Sequence, residues 1–287
     1  MLQSRVAAVV AALLILPLAA CGGGGSSKSN ASASGSPAAA PAGAPGNISV
    51  AGSTAMLPLV KQAAVDYQSK HPDVKISVSG GGSRVGLTQA AQKAVDIGDS
   101  DIPPVNEPGL VDHQVAVVTF GVVVNPKAGV KNLTTQQIRG IFTGAITNFN
   151  KVGGANQQIT VINRPRSSGT RAVFVKTVLA GAEPTQNGLT QDSSGTVATM
   201  VAQTPGAISY VAMNYVHAGQ LQAVSIDGVA PDDANVQSGK YKYWSYEHMF
   251  TNGQPGAQVA DFINYVKTDN ALLKQLGFLP VGSMHAK

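Results

Sequence analysis

The chain has 287 residues, of which 44% are hydrophobic, 12% charged and 5% aromatic, with a formal net charge of +5. That length allows one large or two modest domains with proper cores. The mild basic excess suits a small anionic ligand. With no Lys/Arg stripe and no basic residues interleaved with aromatics, the composition argues against a nucleic-acid partner, and the single cysteine, Cys21, excludes disulfides.

Residues 1–20 read as a lipoprotein signal peptide. Arg5 supplies the basic start, and the apolar run from Val6 to Leu18 is too short to span a membrane. It ends in Leu18-Ala19-Ala20-Cys21, which resembles a bacterial lipobox, where the cysteine becomes the lipidated (palmitate-bearing) first residue. Residues 21–46 are almost wholly Gly, Ser, Ala and Pro and can bury no core, so they read as a flexible tether. An extracytoplasmic protein held to the cell membrane by a lipid on Cys21 is expected.

Strands are predicted at 47–53, 74–83 and 95–101, with helices at 55–72 and 85–94 between them. That alternation implies a parallel sheet. Residues 113–126, "HQVAVVTFGVVVNP", are long for one strand and could cross from one lobe to another. A helix at 133–144, capped by Thr134 or Thr135, precedes a strand at 157–163 and a helix at 172–179. Strands at 207–215 and 221–228, a return crossing at 240–252 and a closing helix at 256–268 complete the chain. Trp244 and Tyr241, Tyr243 and Tyr246 fall in that crossing and are expected to pack beneath the hinge.

Four strand ends are rich in hydroxyls, glycines or charge: "AGSTAMLPL" (51–59), "SGGGSRVG" (79–86), "IGDSDIPP" (97–104) and "NRPRSSGTR" (163–171). A helix start leaves unpaired N–H groups with partial positive charge, so an anion is stabilised there without a lysine. Glycine permits close backbone approach and Ser or Thr adds a hydroxyl. Any single such junction is ordinarily just an N-cap, and "DSSGTV" (192–197), which repeats S-S-G-T without a neighbouring arginine, is read as one. Four together point to an anion site.

These stretches, with "NLTTQQIRGIFTG", "TPGAISYV" and "GKYKYW", resemble in order and spacing the phosphate-binding lipoproteins that serve phosphate ABC transporters, from about Ile48 to Val281. The resemblance implies an α/β fold of the type II periplasmic-binding-protein kind, with two lobes joined by two crossovers. The expected lobes are residues 47–118 plus 248–287 and residues 119–247. It further implies a phosphate site built from Thr54, the Ala55 N–H, Ser83, Asp101, Arg164, Ser168, Gly169 and Thr170, with Ser53 and Arg84 as further candidates. Arg84 follows "GGGS", where many relatives have a small residue, and either adds a cation to the cleft or lies on its rim. Arg166 and Arg171 are assigned to rim or scaffold.

Asp101 is the residue a generic anion pocket would lack. A carboxylate repels a bound anion unless a proton lies between them; phosphate keeps one at neutral pH and sulfate does not. The implied function is high-affinity capture of inorganic phosphate and delivery to an ABC-transporter permease by a monomer needing no cofactor or metal. A receptor of the same fold for sulfate, molybdate or a phosphonate is the alternative. Catalysis is not expected: "GGGSRVG" does not satisfy the nucleophile-elbow spacing, and neither a phosphate-loop lysine nor paired zinc ligands occur.

Overall fold

The computed structural model describes residues 46–285. The expectations for residues 1–20 and Cys21, and nearly all of the 21–46 segment, lie outside the described residues.

The first third alternates as expected: β1 (Asn47–Gly52), α1 (Leu57–Lys70), β2 (Lys75–Ser79), α2 (Ser83–Ala91) and β3 (Ile97–Ser100). β1 pairs in parallel with both β2 and β3. Next come β4 (Leu110–Val124), β5 (Asn132–Leu133), α3 (Thr135–Phe142), β6 (Thr160–Asn163), α4 (Gly169–Thr177), β7 (Leu189–Thr190), α5 (Ser194–Gln203) and β8 (Ala207–Ala212). The chain closes with β9 (Gln222–Ala223), β10 (Ser225–Ile226), α6 (Asp233–Gln237), β11 (Trp244–Asn252), α7 (Ala257–Thr268), α8 (Asn270–Gln275) and β12 (Phe278–Leu279).

The strands follow the order β2-β1-β3-β11-β4-β8-β6-β7, with β9 and β12 also on β4. β4 is a single strand of 15 residues. It pairs antiparallel with β11 up to Thr119, and from Phe120 onward with β8. Its last ten residues, VAVVTFGVVV, are all buried, as a near-continuous apolar run requires when both faces are covered. β4 and β11 are thus the two segments that join the lobes.

Local chemistry sets the helix limits. α1 starts with Pro58 in its first turn, where the missing N–H costs nothing, and ends at His71 before Pro72. Thr134 caps α3 in a reciprocal capping box with Gln137. α2 begins at Ser83, two residues before the expected start, because Gly82 takes φ of 93° as its N-cap. α4 begins at Gly169, three residues early, because Ser168 accepts the Arg171 N–H as a cap.

Two differences matter for the site. The strand expected over 207–215 stops at Ala212 and turns into a short 3-10 helix at Met213–Tyr215. The strand expected over 221–228 is two separate two-residue pairings, β9 with β4 and β10 with β5.

Beneath α4 lies an aromatic cluster. Phe174 stacks on Tyr210 with ring centroids 4.1 Å apart and meets Phe142 edge-on at 4.7 Å. Tyr243 continues the cluster to Phe120. Tyr241 and Tyr243 are buried as expected, whereas Trp244 is half-buried against Tyr246.

Candidate functional site

Four helix starts, those of α1, α2, α4 and α5, bring their residues to one place together with the end of β3. The side chains assemble around two buried charges, Asp101 at 1% exposure and Arg164 at 2%.

Asp101 follows β3 directly and is not the solvent-facing turn residue that its Pro-rich flank would allow. Its backbone N–H donates to Ser83 Oγ at 3.0 Å. One carboxylate oxygen accepts from Ser53 Oγ and the other from Thr170 Oγ1 at 2.8 Å. Thr170 stands on α4, so this last bond ties the β3 end to the opposite lobe. Each oxygen keeps a second lone pair, leaving Asp101 able to accept from a further donor.

Ser53 thus sits behind Asp101: it gives its hydroxyl hydrogen to the carboxylate and takes the Ala55 N–H at 3.1 Å. The Ala55 N–H, expected to face the ligand, is directed at Ser53. Ser83 and Ser168 each accept a backbone N–H and have their hydroxyl hydrogens free for an acceptor. Gly169 opens α4 directly against Ser83 and Asp101, where a Cβ would collide with Ser83 Oγ.

Arg164 leaves the end of β6 and carries the second cluster. Its guanidinium donates to Thr54 Oγ1 at 3.0 Å, Ser194 Oγ at 3.1 Å and the Asp192 carbonyl at 3.0 Å. Its Nε, fully buried, has no partner. Burial lowers its pKa and the nearby Asp101 carboxylate opposes that shift. A guanidinium nevertheless stays charged at any physiological pH. The Arg164 N–H donates to Tyr210 Oη at 3.3 Å, linking the cation to the aromatic cluster. Burial pushes the Tyr210 phenol up to about 12, which keeps it protonated.

The stretch "DSSGTV" is the helix cap expected, and Ser194 adds a contact that the cap reading did not include. Ser193 does cap α5, accepting from Thr196 N. The next residue, Ser194, is fully buried and meets Thr54 through both its N–H, at 3.1 Å, and its Oγ, at 3.2 Å. Helix-start chemistry was visible in this stretch. The missing signal was its cation, because Arg164 arrives from thirty positions earlier. The 3-10 turn after β8 was also unforeseen: Tyr215 Oη donates to the Thr54 carbonyl at 2.6 Å and Asn214 Nδ2 to the Ala55 carbonyl at 3.2 Å.

Arg84 lies on the rim. It is exposed, and it bonds across the cleft rather than into it: its N–H to the Ser167 carbonyl at 3.1 Å and its Nε to the Arg166 carbonyl at 3.2 Å. Arg171 is buried against Glu183 at 2.6 Å, and the Arg166 side chain is 81% exposed.

Hydroxyls and helix N-termini from both sides, one forked cation and one carboxylate make a cage for a small tetrahedral oxyanion. Two α/β halves joined by paired crossing strands and gripping such a cage define a two-lobed solute-binding protein. A family model described as a PBP superfamily domain matches residues 37–270. The phosphate-binding protein PstS of Bacillus subtilis (strain 168) is 45% identical over 249 residues, covering 84% of this chain and 83% of that one. Among solved structures, a Clostridium perfringens chain assigned as a phosphate ABC transporter substrate-binding protein, with bound phosphate, superposes with a TM-score of 0.78 at 28% identity, covering 82% of this chain and 99% of that one. An ABC-type phosphate transport receptor from Vibrio cholerae gives a TM-score of 0.66 at 25% identity, covering 81% and 99%. The chain belongs to the PBP superfamily and, within it, to the family of the PstS phosphate-binding proteins. Its fold is the type II periplasmic-binding-protein fold.

Proposed function

We propose that this chain captures inorganic phosphate between its lobes outside the cytoplasm and delivers it to the permease of an ABC importer. The observation that carries the reading is the buried Asp101 carboxylate placed within a cage of donors. An acceptor inside an anion site suits a ligand that still carries a proton. The similarity to phosphate-binding relatives supports the same ligand, and nothing favours sulfate, molybdate or a phosphonate.

The ligand groups are Thr54, Ser83 and Asp101 from one lobe and Arg164, Ser168, Gly169 and Thr170 from the other. Ser194 joins them as a further donor beside Arg164. Ser53 and the Ala55 N–H support Asp101 from behind, and Arg84 closes the rim. In this reading one lobe comprises residues 47–118 plus 248–287 and the other residues 119–247; supporting it, β4 changes partners between Thr119 and Phe120, one residue past that boundary. Because Arg164 already bonds Thr54 and Ser194, phosphate entry exchanges those contacts for its own oxygens.

The role is capture without catalysis. Among the described residues no histidine hydrogen-bonds Ser53, Ser83, Ser168 or Ser194, and the carboxylate that Ser53 does meet, Asp101, is shared with Thr170 as an acceptor of the cage. Among the described residues no helix is long and apolar enough to cross a membrane. Membrane attachment therefore rests on the lipobox-like sequence ending at Cys21, in a protein acting as a monomer. Isothermal titration of ligand-free protein should give heat with phosphate and none with molybdate; no heat with phosphate would refute the proposal. Cys21→Ser should release the protein from the membrane fraction.

A further inference from the structure

A second buried carboxyl lies beside the site. Glu247, on β11, has no exposed surface, and neither of its oxygens has a hydrogen-bond partner. β11 pairs antiparallel with β3 as His248 with Ser100 and Met249 with Asp99, so the next step brings Glu247 opposite Asp101 on the same face. Ser245 Oγ, donating to the Asp101 carbonyl at 2.6 Å, fixes that register. Asp99 shares the face and is also buried, with one oxygen unpartnered. Three carboxyls thus stand together, and the Arg164 guanidinium, bonded to Thr54, Ser194 and the Asp192 carbonyl, acts on Asp101 only through space.

Neighbouring elements do not neutralise Glu247. On β4, which pairs with it at Ala116, Asp112 is taken up by His248 at 2.7 Å and His113 meets Thr251 at 3.0 Å. The charged residue of α2 is Arg84, which bonds Arg166. Tyr215, from the turn after β8, donates to the Thr54 carbonyl. Two carboxylates facing each other without a cation between them, in a site that must also admit an anion, would repel strongly.

We propose that Glu247 is a positioning residue that stays protonated, so that Asp101 is the single carboxylate of the site and receives the Glu247 O–H. Burial first, and then the Asp101 carboxylate, drive the pKa values of both Glu247 and Asp99 well above the usual carboxylic range, which leaves Asp101 the one charged carboxyl of the three. Asp101 has spare lone pairs for this donor and for a phosphate hydroxyl. The proton assignment is a property of the fold; its effect on binding rests on the phosphate reading of the site.

The test compares the parent with Glu247→Gln and Glu247→Leu from about pH 5 to about pH 9. An unfolded glutamate releases its proton near about pH 4.3, whereas the folded protein retains it, so folding takes up a proton and the parent loses stability as pH rises. Expected for ligand-free protein is a Tm advantage of the Gln variant that widens with pH up to the folded pKa. A gap that stays constant or narrows overturns the proposal. In the phosphate arm, dividing variant by parent affinity cancels the ionisation of phosphate itself. Gln should match the parent at neutral pH and exceed it at high pH, and Leu, which removes the donor, should bind about tenfold to a hundredfold more weakly at neutral pH. Equal affinities for Gln and Leu would overturn the positioning role. A widening Tm gap in a protein that binds no phosphate would leave the proton assignment standing and refute the phosphate reading.

Discussion

Arg164 and Asp101 carry opposite duties at residue scale. Arg164 grips: its fork meets Thr54, Ser194 and the Asp192 carbonyl, and it would give a bound oxyanion charge-assisted bonds worth about 1.5–3 kcal/mol each, whatever the anion. Arg164→Ala should therefore weaken phosphate and competing anions by similar factors in calorimetric titration. A changed preference among anions would contradict that role. Much of this was legible because the arginine, the S-S-G-T run and the aspartate are chemically conspicuous residues at strand ends. Ser194 was not, since a serine two positions from an acidic residue looks like any cap until a cation arrives from another strand. Glu247 was hidden for a similar reason, as only strand register brings it opposite Asp101.

Among the elements, α4 does the most to shape the cage. Its first residue, Gly169, touches Ser83 and Asp101 across the cleft, and its body rests on Phe142, Tyr210 and Tyr243 through Phe174. A methyl on Gly169 collides with atoms of the other lobe, so Gly169→Ala should weaken phosphate binding by at least about tenfold, the equivalent of about 1.4 kcal/mol. Ligand-free thermal stability should change little if the lobes can part. A large fall in Tm with unchanged affinity would instead make this glycine a folding requirement. The type of the principal elements followed from apolar periodicity, but their limits did not. α2 and α4 begin two and three residues earlier than expected because capping by Gly82 and Ser168 recruits site residues into the first turn. The strand over 207–215 ended early because its last three residues turn back to hold the Thr54–Ala55 loop.

At the scale of the whole molecule, function requires two lobes that close on the ligand, and β4 with β11 supplies the connection. The length of 113–126 hinted at a crossing, yet the pairing of β11 between β3 and β4 is a long-range fact that no local pattern encodes. In the structure the lobes meet through Thr170 with Asp101, Arg164 with Thr54, and Arg84 with the carbonyls of Arg166 and Ser167. The Arg84 side chain lies on the rim, so Arg84→Ala should speed phosphate release severalfold, a loss of about 0.5–1.5 kcal/mol, while leaving anion preference unchanged. Stopped-flow fluorescence of the sole tryptophan, Trp244, which pairs with Thr119 at the crossing, reads that rate. An unchanged release rate would remove Arg84 from closure. The central claim is that gripping and choosing are separate and that Asp101 does the choosing. Competition calorimetry of phosphate against sulfate in the parent and in Asp101→Asn tests it most directly. The account predicts that the variant still binds phosphate but loses about tenfold to a few hundredfold of its discrimination against sulfate, corresponding to about 1–3 kcal/mol for an acceptor no longer facing lone pairs. Equal phosphate-to-sulfate ratios in the two proteins would contradict it.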